Sequence, residues 1–300
     1  MDYPEVVTFG EVLWDVLPTG KFLGGAPSNV AYRLSERGVK VGLISRVGDD
    51  EMGKELIQAL TLKGVDCSYI QTDLILPTGI VEVKLNTEGS PAFDIIPGVA
   101  YDEIDYDDRV ALLARKARVV CYGTLIQRGI KSAESLYKFL GDASSATKIL
   151  DLNLRKGCYS SDSVKRSLEH ADVVKFSRDE VRKVSEMCNW PTSSSCSEFS
   201  DLIFQSYRNV NFILVTVGEG GVIFFARNGD SFELPVDQVE VVDTIGSGDA
   251  FTAGFVCGLL KGLELKKCCE YGNLLGALAS TKIGGMGTIT DAEVRKEGWL

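Results

Sequence analysis

Short apolar runs alternate with helix-period segments along most of this chain, and that rhythm constrains its fold more than any other feature. The runs Val6–Phe9, Val41–Val47, Val119–Tyr122, Lys148–Leu152, Val173–Phe176 and Phe212–Val217 read as strands buried on both faces. Between them, helical spacing covers Val30–Arg37, Gly53–Lys63, Arg109–Lys116, Ser132–Leu140, Val164–His170 and Asp179–Met187. Gly38 and Gly64 stop the first two. Such alternation gives βαβ units and a mostly parallel sheet, hence an α/β fold with its ligands outside the carboxyl ends of the strands.

Two regions break the rhythm. Trp14–Gly25 and Thr78–Pro97 read as extended, turn-rich chain with period-two alternation, fit to form a small β lid over the strand ends. The Ser-rich stretch Thr192–Ser200 reads as a surface loop. No repeat or linker divides the chain, so residues 1–300 are expected to form one domain, with lid segments at about 12–25 and 76–100 inserted in it.

Composition narrows the function. The 300 residues carry 32 Lys and Arg against 42 Asp and Glu, a formal charge of −10, which leaves no basic footprint for nucleic acid. The longest apolar stretches, such as Ala250–Leu260, fall short of the roughly 20 residues a bilayer requires, so no membrane partner is expected. Met1-Asp2-Tyr3-Pro4 offers neither a basic nor an apolar leader, and none of the eight cysteines forms a C-x-x-C. Both features point to a cytoplasmic protein with reduced thiols. The one histidine, His170, sits in a helical stretch, which leaves little room for Ser-His-Asp or Cys-His chemistry.

The segment Asp243-Thr244-Ile245-Gly246-Ser247-Gly248-Asp249-Ala250-Phe251 carries the most chemistry. It follows the strand-like Val239–Val242 and opens a helix with apolar residues at Phe251, Phe255 and Leu259. Glycines at such a turn leave backbone N–H groups open, and the helix N-terminus adds positive potential, together an anion site. An acid there would repel a bound anion. It suits a site where Asp249 takes a proton from a hydroxyl while the amides hold charge on a transferred phosphoryl group. A plain helix cap is the alternative for Asp249 alone. Neither a P-loop nor a G-x-G-x-x-G explains the string.

The string resembles the D-T-x-G-A-G-D signature of the PfkB, or ribokinase-like, family of carbohydrate kinases, with Ser247 in place of Ala. A second family signature is matched by Gly24-Gly25-Ala26-Pro27-Ser28-Asn29-Val30-Ala31, with Gly38 and Gly48 following at the expected intervals. The resemblance runs from Gly10 to about Thr290. It implies a ribokinase-like three-layer sandwich and ATP-dependent transfer of a γ-phosphoryl group to a primary hydroxyl. ATP and Mg²⁺ would be the cofactors, with K⁺ permitted. The partners would be a small sugar and ATP, with homodimerisation through the lid permitted.

Residue by residue, the resemblance makes Asp249 the general base and Gly246, Ser247 and Gly248 the donors to the transition state. Gly24, Gly25, Asp15 and Asn29 fall at sugar-binding positions, where a turn Asp and a helix-capping Asn are the plain alternatives. Asp151-Leu152-Asn153-Leu154-Arg155 is similar to the D-x-N-x-R of fructokinase-type members, which puts Arg155 toward the phosphates unless it is a surface ion-pair residue. Thr216, Gly218 and Gly221 match a T-x-G-x-x-G turn flanking the nucleotide, and Asn273 the position beside the adenine. Arg128, just after the strand end Tyr122-Gly123-Thr124, could reach a substrate or form an ordinary ion pair.

One departure stands out. Where the family has N-x-x-E, this chain has Ser177-Arg178-Asp179-Glu180, which keeps the acid that organises Mg²⁺ through water but loses the amide. In the lid, between Pro77 and Asp108, Lys84 is the only basic residue, so a phosphorylated sugar would find little to bind. A neutral sugar is favoured, D-fructose phosphorylated at its 6-hydroxyl above all. Ribose, 2-keto-3-deoxygluconate or a nucleoside are the alternatives, and Trp14 with Phe93 could stack on any of them or simply pack the lid. Ser177 motivates a third reading, a non-catalytic scaffold or sensor.

Overall fold

The computed structural model of the chain describes residues 3–17, 20–85, 91–192, 195–296 and 298–299. In chain order the strands are β1 Val6–Phe9, β2 Leu13–Leu17, β3 Gly20–Gly24, β4 Val41–Gly48, β5 Ile70–Asp73, β6 Gly79–Leu85 and β7 Pro91–Ile95. They continue as β8 Val119–Tyr122, β9 Thr147–Asp151, β10 Val173–Ser177, β11 Phe212–Thr216, β12 Val222–Ala226 and β13 Ser231–Leu234. The helices are α1 Ala26–Glu36, α2 Glu51–Leu62, α3 Asp108–Ala114, α4 Ile130–Asp142 and α5 Ser161–His170. They continue as α6 Arg178–Met187, α7 Cys196–Ser206, α8 Ser247–Leu260, α9 Leu265–Ser280 and α10 Asp291–Lys296.

Among the described residues the main sheet has nine strands in the order β13-β12-β11-β10-β9-β8-β1-β4-β5. It is parallel from β5 to β11 and antiparallel where β11, β12 and β13 pair. Successive side chains take opposite faces. Val7, Phe9, Val120, Tyr122, Leu150 and Phe176 pack under α3 to α7, while Val6, Leu43, Val119, Ile149 and Val173 pack under α1, α2, α8 and α9. This is the expected α/β sandwich of three layers. From β1 the chain builds outward to β4 and β5, then returns to place β8 on the other side of β1. That reversal marks where a crevice opens beyond the strand ends.

The two irregular regions pair as a separate sheet of order β3-β2-β6-β7 among the described residues. Asp50, the cap of α2, fixes its base by accepting from Gly53 N (2.7 Å), Thr78 N (2.8 Å) and Thr78 Oγ1 (2.6 Å). Trp14 is buried and donates its indole N–H to Met52 O (3.0 Å), so it packs the lid onto α2, and it is not among the residues lining the cleft under the lid. Phe93, the other stacking candidate, has its side chain outside the described residues, as does Lys84.

Two expectations fail. Val239–Val242 is not a strand: Val241 and Val242 are 51% and 57% exposed, and the N–H groups of Val242 and Asp243 both reach Ser280 O at the end of α9. They lie beyond β13, the last strand of the sheet, and pair with no strand among the described residues. Within the stretch expected to be a loop, α7 begins at Cys196, because Ser195 and Glu198 form a reciprocal cap: Ser195 N reaches Glu198 Oε2 at 2.8 Å, and Glu198 N reaches Ser195 Oγ at 3.2 Å.

Candidate active site

The crevice holds a cleft of about 320 Å³ between the ends of β1, β9 and β10, the lid, and the N-termini of α1 and α8. Gly246 starts α8 in the left-handed region (φ 77°), and a Cβ there would lie 2.6 Å from Gly285 Cα. Only glycine serves at this turn. The Ser247 N–H turns back to Thr244 O (3.2 Å), whereas Gly248 and Asp249 stand in the first turn, where helix geometry supplies no acceptor for their N–H groups. Those two amides face the cleft end of the helix and suit an anion.

Asp249 accepts from Asn29 Nδ2 at 2.8 Å, which joins α8 to α1 across the cleft. Burial, reinforced by the neighbouring Asp151 carboxylate, pushes Asp249 up to about 6, while Asn29, Lys175 and Arg155 pull the other way. Asn29 is buried, Gly285 leaves no room behind its amide, and its Oδ1 has no hydrogen-bond partner among the described residues. An orphaned acceptor beside a carboxylate suits a hydroxyl, which could donate to either.

Asp15 enters from β2, and a Cβ on Gly24 would overlap its carboxylate, so Gly24 makes room for it. Burial lifts Asp15 to about 6 against the pull of Arg155. Gly25 caps α1 with φ 100°, and a Cβ there would sit 2.5 Å from Glu11 O. Glu11, buried and accepting from Ala26 N (3.1 Å), is lifted to about 7 chiefly by burial. Arg155 is exposed on the cleft wall, and its guanidinium makes no hydrogen bond among the described residues. The cleft therefore offers buried carboxyls to polyol hydroxyls, and free amides and a cation to an anion.

Residues 3–292 match the pfkB family of carbohydrate kinases. The chain belongs to that family. Among curated relatives, the sugar kinase PH1459 of Pyrococcus horikoshii is 32% identical over 293 residues, spanning 95% of this chain and 89% of that one. Fructokinase-1 of Zea mays is 28% identical over 318 residues, 96% of each chain. The crystal structure of PH1459 with ATP superposes with a TM-score of 0.83 at 30% identity, covering 97% of both chains. A fructokinase of Vibrio cholerae, solved with fructose, ADP and calcium, gives 0.80 at 25% identity over 95% of this chain and 96% of that one. This pfkB kinase is thus a phosphotransferase acting on a sugar hydroxyl.

The remaining sequence candidates of the pfkB kinase lie elsewhere. Thr216 ends β11 and bonds Phe176 O (3.3 Å), and Gly218 follows it at φ 59°. Gly221 (φ 83°) and Asn273 both close on the chain after β13: a Cβ on Gly221 would strike Pro235, and Asn273 Nδ2 donates to Leu234 O (3.2 Å) and Pro235 O (3.1 Å). None of these four lines the cleft that holds Asp249 and Asn29. Glu180 accepts from Leu154 N (2.6 Å) and Ser177 N (2.7 Å), which locks the D-x-N-x-R turn to the start of α6.

Arg128 does not reach the cleft. Its guanidinium pairs with Asp102 (2.9 Å) and donates to Ile95 O (3.2 Å), Ile96 O (2.7 Å) and the Tyr101 hydroxyl (3.0 Å), pinning the return of the lid into the body. Both partners are about nine-tenths buried, so Arg128→Met leaves Asp102 uncompensated. A loss of about 3–5 kcal/mol in urea unfolding is expected. An unchanged midpoint would show that the pair does not hold the lid.

Sequence reasoning missed Lys175 and Gly285. A Lys inside the apolar run Val-Val-Lys-Phe was a visible signal for the first. Nothing local marks Gly285, whose role comes from packing against Asn29 and Gly246.

Among the described residues, no helix is long and apolar enough to cross a membrane.

Proposed function

We propose that this kinase transfers the γ-phosphoryl group of ATP to the 6-hydroxyl of D-fructose. The observation that carries the reading is the Asn29–Asp249 pair, with an orphaned Asn29 Oδ1 under the open first turn of α8. A hydroxyl seated there donates toward the pair. Asp249 takes its proton, the hydroxyl oxygen bonds the γ-phosphorus, and the bond to the β–γ bridging oxygen breaks with its electron pair leaving on ADP. The amides of Gly248 and Asp249 and the Arg155 guanidinium hold the charge in transit.

Among the described residues no three metal-ligating side chains cluster. Glu180, at the start of α6, would hold a divalent ion through water, and Mg²⁺ bound there would neutralise phosphate charge. A neutral acceptor fits because Arg128 is already engaged and Asp15 and Glu11 line the sugar end. Fructose is supported by the fructokinase relatives and by the fructose-bound Vibrio cholerae structure. The unpaired cysteines fit a reducing cytoplasm, and the edge strands β3 and β7 leave the lid open to a homodimer.

The test is ADP release from Mg²⁺-ATP with fructose, ribose, 2-keto-3-deoxygluconate, glucose and adenosine, with and without K⁺. A dominant response to fructose is expected. Dominance of another acceptor would replace the sugar and keep the chemistry, and ADP release from none of them would overturn the reading.

A further inference from the structure

A lysine at the centre of a strand covered on both faces is costly unless its charge is used. Lys175 is the third of five residues of β10 and 7% exposed. Its Nζ donates to Asp151 Oδ2 (2.7 Å), which also accepts from Thr252 Oγ1 (2.9 Å), so β9, β10 and α8 meet at one carboxylate. An ammonium has three N–H groups, and the other two have no acceptor among the described residues. Burial works against its charge, but Asp151, Asp249 and Glu180 outweigh it, and Lys175 stays protonated.

Its position is the second observation. Lys175 lines the cleft, and a Cβ on Gly248 would lie 3.2 Å from its Nζ, so the ammonium abuts the first turn of α8. A cation beside the positive end of a helix is repelled by it unless an anion lies between them. Lys175 also shares a strand face with Ser177, two residues on, where the family pattern would supply an Asn amide.

We propose that Lys175 is a catalytic residue of this kinase, donating to the non-bridging oxygens of the phosphoryl group in transit beside the Gly248 and Asp249 amides. The inference rests on the phosphoryl-transfer reading, and wild-type turnover is the control that separates the two. Its rival is a positioning role, in which Lys175 only neutralises Asp151.

Lys175→Met is expected to lower kcat roughly 10²- to 10³-fold, with the KM for sugar changed by less than about threefold. The single variant leaves a buried carboxylate unpaired, so the deciding variant is Lys175→Met/Asp151→Asn, which removes both charges and leaves an amide for Thr252. Around Asp249 stand Asp151 from β9, Lys175 from β10, Arg155 after β9, Glu11 and Asp15 from the β1–β2 side, and Asn29 from α1. The acidic limb of kcat should move to higher pH in the single variant and return in the double, while the plateau stays low in both. Binding of ADP with aluminium fluoride, a stand-in for the group in transit, should weaken in the double variant while binding of ADP alone is kept. A double variant with kcat within about threefold of wild type, or with undiminished aluminium fluoride binding, would overturn the proposal.

Discussion

Asp249→Asn is expected to lower kcat roughly 10²- to 10⁴-fold while the chain remains folded. The change is close to isosteric, and the new side-chain carbonyl can still accept from Asn29 Nδ2, so the cleft keeps its shape. What disappears is the group that takes the hydroxyl proton. In the wild type, activity should rise with pH through the region of about 6, because Asp249 works only when deprotonated and burial holds it there. The stability effect has the opposite sign. A carboxyl whose folded value lies above its ordinary 3.8 favours the folded state while protonated and loses that contribution as pH rises through about 6. At pH 8 the variant should therefore melt at or above the wild-type temperature. Turnover within tenfold of wild type would remove Asp249 from the role of base. A lower melting temperature at pH 8 would show that its charge supports the fold and does not strain it.

Gly246→Ala carries the second large effect. Alanine is strained at φ 77°, and its Cβ would press on Gly285 Cα at 2.6 Å, backbone against backbone. Neither segment has room to yield, since Gly285 is already packed against the Asn29 amide. The first turn of α8 must shift, and with it the amides of Gly248 and Asp249. A displacement of about 1 Å at reacting groups costs on the order of 10²-fold in rate, and the backbone strain costs about 1–3 kcal/mol of stability. Steady-state kinetics and urea unfolding on one preparation would read both. A variant that loses stability but keeps kcat would mean that the glycine shapes the turn without placing the amides.

Much of the frame was legible because both-face burial leaves a plain mark. Val6–Phe9 and Val119–Tyr122 occupy the residues their apolar runs outline. Helix starts were harder. Apolar spacing begins at Val30, but α1 begins at Ala26, where Gly25 and Pro27 set the entry. The strand-like Val239–Val242 shows the limit of propensity: β-branched residues make a strand only beside a neighbour with free N–H and C=O groups. The antiparallel end of the sheet, β12 and β13, escaped because strands joined directly to one another, with no helix between them, fall outside the βα rhythm.

The candidate site was legible in its glycine and acid signatures and opaque in its cations. Arg128 and Arg155 look alike in sequence, each shortly after a strand end. Folding hands Arg128 to Asp102 and two lid carbonyls and leaves Arg155 open to the cleft. Partner choice of this kind depends on residues that are neighbours only in space. Lys175 is the converse, a charge that breaks a strand pattern and whose meaning appears only once Asp151, Thr252 and α8 surround it.

Phosphorus NMR of the purified protein with Mg²⁺-ATP and D-fructose is the most direct test of a transfer centre beneath α8. The expected result is a sugar phosphate monoester at the 6-position, accumulating one for one with ADP and absent with Asp249→Asn. ADP accompanied by inorganic phosphate would mean that water, not the sugar, is the acceptor, and would contradict the account.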